Sequence, residues 1–227
     1  MTTERPARIV VINHQAANIH SVDKALRAVG ADAVVSSSVR ELKNADAAVL
    51  PGVGASDPAL RALERLDLRQ ATIDFALSGK PLFGVCLGMQ LLFDGSEEGT
   101  LPGLGLIPGT VVRIPEGTAS NGIPLKIPHM GWNAVRFRGN DEVRHAAFRG
   151  IAANEYFYFV HSYMCVPQKD EDVAATTEYG STICAAVARG EIVATQFHPE
   201  KSHNVGLQIY RNFVRHAAHT RQKPVGA

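Results

Sequence analysis

The segment Pro81-Leu-Phe-Gly-Val-Cys-Leu-Gly-Met-Gln90 limits the fold more than any other part of the chain. Leu82 to Val85 reads as a buried strand, and Leu87 to Phe93 has helical character. The cysteine between them has glycine two positions away on each side. Glycines on both flanks let the chain turn sharply from strand to helix without side-chain collisions. A strand that runs straight into a helix belongs to an alternating α/β architecture.

The first half supplies that alternation. Arg8 to Asn13 is a short β-branched run, and Val22, Ala25, Leu26 and Val29 then share one helix face that Gly30 ends. Val34-Val35 and Ala47 to Leu50 read as buried strands, while Pro58 to Leu66 and Leu68 to Leu77 read as helices. In the second half, Val111 to Ile114, Ala134 to Phe137, Tyr156 to His161, Val173 to Thr176, Ile183 to Ala188 and Ile192 to Phe197 are strands close together. Their spacing suggests antiparallel additions to a parallel sheet. A final helix, roughly Val205 to His219, carries Leu207, Tyr210, Phe213, Val214 and Ala217 at core spacing. No Ser/Gly/Pro-rich linker divides the chain, so the expectation is one three-layer α/β/α domain over residues 1–227, with its core at about 8–216.

Composition excludes several functions. Against 23 basic residues stand 22 acidic ones, which offers nothing for nucleic acid or an anionic membrane. Pro81 to Phe93 is too short to span a bilayer, and the first apolar stretch is too short for a signal peptide. Cys86, Cys165 and Cys184 are an odd number and far apart, which disfavours a disulfide framework and suits a reducing cytoplasm. The nine histidines show no close ligand spacing and there is no CxxC pair, so no metal or cofactor is expected.

Cys86 on its turn is presented away from the sheet, and the helix behind it offers free N–H groups and a positive dipole end that favour thiolate. A buried structural cysteine is the competing reading. Ala194-Thr-Gln-Phe-His-Pro-Glu-Lys201 adds a base and a carboxylate just beyond a strand, and a thiol nucleophile needs that pairing. Alone, His198 beside Glu200 would pass for a surface pair. Leu50-Pro-Gly-Val-Gly-Ala55 exposes backbone amides at a strand end, where Gly52 and Val53, with the Leu87 N–H, could hold an oxyanion. Alone it would be a β-turn, and it lacks dinucleotide spacing.

Together, Pro-Gly-Val-Gly, G-V-C-L-G-M-Q and F-H-P-E-K resemble the class I glutamine amidotransferases. Lys126-Ile-Pro-His-Met-Gly-Trp-Asn133, Tyr158-Phe-Val-His-Ser-Tyr163 and Gly103-Leu-Gly-Leu-Ile-Pro-Gly109 resemble one branch, the glutaminase subunits of imidazole glycerol phosphate synthase. The similarity runs from about Ile9 to Phe213. It implies a flavodoxin-like fold with a mixed, mostly parallel sheet. It further implies glutamine hydrolysis by Cys86, His198 and Glu200, with an oxyanion hole at Gly52, Val53 and Leu87. Gln90, Ser162, Tyr163 and Met164 would hold the amino-acid end of L-glutamine. Ammonia would pass to a cyclase subunit in a heterodimer, which turns a ribonucleotide into imidazole glycerol phosphate and an aminoimidazole carboxamide ribotide for histidine biosynthesis. Asn18, Trp132 and Lys201 match positions that the family places at or near that interface.

For Met130 and Trp132, core packing is the competing reading. Tyr158 and Phe159 read as core strand residues, His161 as a satisfied strand-end histidine, and His14, His20, His203, His216 and His219 as surface or capping residues. The family's usual Asp-Tyr-Gly-x-Gly-Asn after the first strand is here Asn13-His-Gln-Ala-Ala-Asn18, and Ser56 stands where an aromatic is common. Glutaminase subunits for anthranilate, aminodeoxychorismate or nucleotide amidation more often carry Pro-Gly-Gly loops. A sugar-modification relative stays open because of the altered loop. A non-catalytic binding module would have no reason to keep all three triad residues, and a stand-alone cysteine hydrolase would have no need of Gln90.

Overall fold

The computed structural model describes residues 5–15, 19–120 and 122–221. The expected alternation is present as β1 (Arg8–Ile12), α1 (Ile19–Ala28), β2 (Asp32–Ser36), α2 (Val39–Asn44), β3 (Ala47–Gly52), α3 (Ser56–Arg65), α4 (Leu68–Leu77), β4 (Leu82–Cys86) and α5 (Leu87–Leu91). The rest comprises the short strands β5 (Gly95–Ser96), β6 (Gly109–Arg113), β7 (Ala119–Ser120) and β8 (Ile123–Pro124), then β9 (His129–Phe137), β10 (Glu155–His161), β11 (Tyr163–Pro167), β12 (Val173–Glu178), β13 (Thr182–Arg189) and β14 (Ile192–Thr195). A long helix, α6 (His203–Thr220), closes the described chain.

Nine strands form one sheet in the order β10-β9-β12-β13-β14-β4-β3-β1-β2. From β14 to β2 every pairing is parallel, and from β10 to β14 every pairing is antiparallel. The alternation of side chains along β1 and β3 explains the layering. Ile9, Val11 and Val49 face the α1 and α6 side with Leu26, Tyr210 and Phe213. Val10, Ile12, Ala48 and Leu50 face the other side with Leu42, Leu60, Leu63 and Phe75 from α2, α3 and α4. Both faces of the sheet are therefore covered, as a parallel sheet requires.

Two sequence expectations change. The Val111 to Ile114 strand does not extend the main sheet; β6 pairs with β5 and β11 in a separate three-stranded sheet. The helix after Cys86 ends at Leu91 rather than Phe93, because the Leu91, Leu92 and Phe93 carbonyls accept from Leu104 to Ile107 instead of continuing a helix. Among the described residues, no helix is long and apolar enough to cross a membrane.

Candidate active site

The cysteine turn, the Pro-Gly-Val-Gly turn and the His-Pro-Glu segment lie far apart in sequence, yet β3, β4 and β14 are adjacent parallel strands. In register, Gly52 lies across from Cys86 and Val85 across from Thr195. The three segments therefore leave the sheet side by side at its carboxyl edge, where open α/β sheets place ligands. Cys86 takes φ +54 and ψ −110, a strained conformation for a residue with a β-carbon. Its neighbours explain how the strain is held. A Cβ added at Gly88 would lie 1.8 Å from the Leu50 carbonyl oxygen, and one at Gly52 would lie 2.8 Å from the Leu87 Cβ. Glycine at these positions lets β3 press against the first turn of α5. That helix is only five residues long, so its dipole supplies less to the sulfur than a full-length helix would.

Cys86, Leu87, Gln90, Val53, Gly54, Ser162, Tyr163, His161, Val160 and His198 line a cavity of about 320 Å³, with Glu98 and Pro128 completing the wall. His198 Nδ1 lies 2.7 Å from Glu200 Oε1, and both side chains are only 2% exposed. The Tyr210 hydroxyl donates to the other Glu200 oxygen at 3.4 Å. The His198 backbone is tied to β10, since its N–H donates to the Tyr158 carbonyl. Its Nε2 is buried and has no hydrogen-bond partner among the described residues. Burial opposes a charge on this ring, but the nearby Cys86 sulfur and the Glu200 carboxylate outweigh it and raise its pKa to about 10. The sulfur acts on the ring by close contact as well as by charge, although Nε2 does not meet full hydrogen-bond geometry.

The structure thus gathers Cys86, His198, Val53, Leu87, Gln90, Ser162 and Tyr163 around one cavity. Glu200 stands behind His198, and Gly52 ends the strand beside Cys86. Met164 lies one residue along β11 and is not among the lining residues. Of the expected interface residues, Asn18 falls outside the described residues. Lys201 is exposed, with its Nζ over the Tyr158 ring at 5.5 Å. Core packing does not hold for Met130 or Trp132, which are 62% and 45% exposed; they sit on the same outer side of β9, two residues apart. Trp132 stacks on His203 at 4.9 Å.

His14 is not a surface residue. It is fully buried, and its Nε2–H donates to the Pro51 carbonyl at 2.8 Å. Burial lowers its pKa. Glu98 was missed in the sequence because it carries no periodic signal; its Oε2 accepts from the Ser56 N–H at 2.8 Å and is the cavity's one carboxylate among the described residues. Distant histidines do converge: His145, Glu191 and His216 lie within metal-ligand reach of one another. His145 Nδ1, however, accepts the Ala147 N–H at 3.1 Å. In the neutral ring Nε2 then carries the hydrogen and has no lone pair for an ion.

Residues 10–217 match the family described as Glutamine amidotransferase class-I. The chain is 45% identical over 217 residues to imidazole glycerol phosphate synthase subunit HisH of Acaryochloris marina (strain MBIC 11017), covering 95% of this chain and 98% of that protein. It is 46% identical over 208 residues to the protein of the same name from Microcystis aeruginosa (strain NIES-843 / IAM M-2473), covering 91% and 94%. Among solved structures, PurLQS from Thermotoga maritima superposes with a TM-score of 0.70 at 17% identity, covering 93% of this chain and 99% of that one. The glutaminase domain of Trypanosoma brucei CTPS with bound acivicin gives 0.65 at 18% identity, covering 96% and 95%; both show a shared fold. The chain belongs to the class-I glutamine amidotransferase family.

Proposed function

We propose that this amidotransferase is the glutaminase subunit of an imidazole glycerol phosphate synthase, hydrolysing L-glutamine and passing the ammonia to a cyclase subunit in histidine biosynthesis. The relatives at 45–46% identity carry that name. The observation that carries the chemistry is the buried His198–Glu200 pair, whose free Nε2 opens on the cavity that Cys86 lines. The proposal takes residues 1–227 as one domain at work in the cytoplasm.

In this reading the Cys86 sulfur attacks the side-chain amide carbon of glutamine. Glu200 holds Nδ1–H and so fixes the His198 tautomer with Nε2 toward the reaction. A His198 pKa of about 10 keeps the imidazolium present at neutral pH, which supplies the proton for the departing ammonia. The Leu87 N–H and an amide from Gly52 or Val53 take the tetrahedral oxyanion. His198 then removes a proton from water, which attacks the thioester and frees glutamate. Gln90, the Ser162–Tyr163 backbone and the Glu98 carboxylate hold the amino-acid end, Glu98 facing its ammonium group. Trp132 and Lys201 form part of the cyclase-facing surface.

Glutamate release, measured with and without the cyclase and its ribonucleotide substrate, tests the assignment. Cyclase with ribonucleotide should raise the rate, and Cys86→Ala should abolish release while the two chains still co-purify. Equal rates would remove the coupling, and an active Cys86→Ala chain would remove the mechanism.

A further inference from the structure

Gln196 directly follows β14, two residues before His198, and is fully buried. Its Nε2 lies 3.8 Å from the Cys86 sulfur, and its Oε1 accepts from Gln90 Nε2 at 3.0 Å. The direction of this amide is fixed by its neighbours. Gln90 Nε2 also donates to the Tyr163 carbonyl at 3.2 Å. A carbonyl only accepts, so Gln90 offers its NH2 group there, and the second hydrogen goes to Gln196. Gln196 must therefore meet Gln90 with its oxygen and Cys86 with its NH2.

The Tyr163 carbonyl is itself anchored, because His161 Nδ1–H donates to it at 2.7 Å. His161 Nε2 is then an acceptor, and His129 Nδ1–H donates to it at 3.0 Å. His129 Nε2 accepts from Asn133 Nδ2 at 3.3 Å, and the other Asn133 hydrogen goes to the Glu178 carbonyl at 2.9 Å. Two backbone carbonyls, of Tyr163 and Glu178, thus set the polarity of every side chain from Asn133 to Gln196. Besides Gln196 and the His198 ring, the sulfur meets the Val160 carbonyl at 3.9 Å. That oxygen can accept from a thiol and offers nothing to a thiolate. Among the described residues, Gln196 is the side chain whose N–H meets hydrogen-bond geometry at the sulfur, beside the His198 ring on which the same sulfur acts.

We propose that Gln196 is a positioning residue for Cys86: its NH2 group donates to the thiolate and keeps it aimed into the cavity, and Gln90, oriented by the Tyr163 carbonyl, holds that amide in its one productive direction. The proposal rests on the glutaminase reading for its catalytic consequence, but the contact with sulfur exists without substrate. Gln196 is not among the residues that line the cavity, so its loss should lower kcat through the sulfur, while any rise in KM comes through its bond to Gln90.

The test is the pH dependence of Cys86 alkylation by iodoacetamide in the full chain, followed by peptide mass to separate Cys86 from buried Cys165 and Cys184. A hydrogen bond to an ionised group is strong enough that Gln196→Leu and Gln196→Glu should each move the alkylation midpoint up by about one pH unit or more. Glutamate release in the presence of the cyclase should fall about tenfold in kcat. An unmoved midpoint in either folded variant overturns the proposal. Should both variants fail to fold, the unsubstituted chain decides: the Gln196 side-chain NH2 resonances must move with the Cys86 alkylation midpoint, and resonances that stay fixed overturn it. Because alkylation needs no glutamine, a shifted midpoint in a chain that releases no glutamate would leave Gln196 standing and remove the glutaminase reading instead.

Discussion

Gly88 and Leu50 meet so closely that a β-carbon at position 88 would sit 1.8 Å from the Leu50 carbonyl oxygen. Leu50 lies on β3 and Gly88 in the first turn of α5, so their contact sets how near the Pro-Gly-Val-Gly turn comes to Cys86. Gly88→Ala should therefore separate the two segments. Overpacking of this kind costs about 1–3 kcal/mol, to be read as a lower urea midpoint, and glutamate release should fall more steeply than stability.

The carboxylate behind His198 is the second point of leverage. Glu200→Gln keeps the shape but removes the charge that holds Nδ1–H. By analogy with triads in general, kcat should fall by a factor on the order of 10² to 10⁴ with the fold intact. The steady-state rate of glutamate release checks it, and a fall of less than fivefold would assign Glu200 a packing role.

Glu98 makes the opposite kinetic prediction. If its carboxylate faces the substrate ammonium, Glu98→Gln should raise the KM for glutamine roughly tenfold and change kcat little, since the contact is equal in ground and transition states. A drop confined to kcat would place Glu98 elsewhere in the mechanism.

Buried neutral histidines give the fold a pH signature. Burial, with the neighbouring His161, lowers the pKa of His129 to about 3, and burial holds His145 and His161 down at about 4. Once the pH falls below about 6.5, the unfolded chain binds protons that the folded chain refuses, so stability is lost from there down toward pH 4. On the alkaline side, His198 gives up stability between its unfolded value and about 10, and burial raises the Cys184 thiol to about 12. Stability should peak near neutrality and fall by at least about 2 kcal/mol on going to about pH 5. Urea unfolding across pH measures it; a flat acid limb would mean that water reaches these rings.

The fold and the triad were legible because each has a local signature. Glycines around Cys86 mark a turn, β-branched runs mark strands, and His-Pro-Glu supplies base and carboxylate within three residues. What escaped is long-range. Gln196 and Gln90 are 106 residues apart, and Glu98 reaches back 42 residues to Ser56. A glutamine just past a strand or a glutamate in a loop looks the same in sequence whether it serves a site or solvent. Met130 and Trp132 were ambiguous for another reason: apolar character favours the core, while period-two alternation with buried His129 turns both outward.

The bond from His14 to the Pro51 carbonyl makes two separate stretches one inherited unit. Substitutions in the first loop and in the Pro-Gly-Val-Gly turn are then epistatic, and neither has a fixed effect without the other. A chimera given the family's usual Asp-Tyr-Gly-x-Gly-Asn over residues 13–18 would lose the imidazole that steadies Pro51. Its resting glutaminase rate should shift although every triad residue is retained, and restoring a histidine at position 14 alone should bring that rate back.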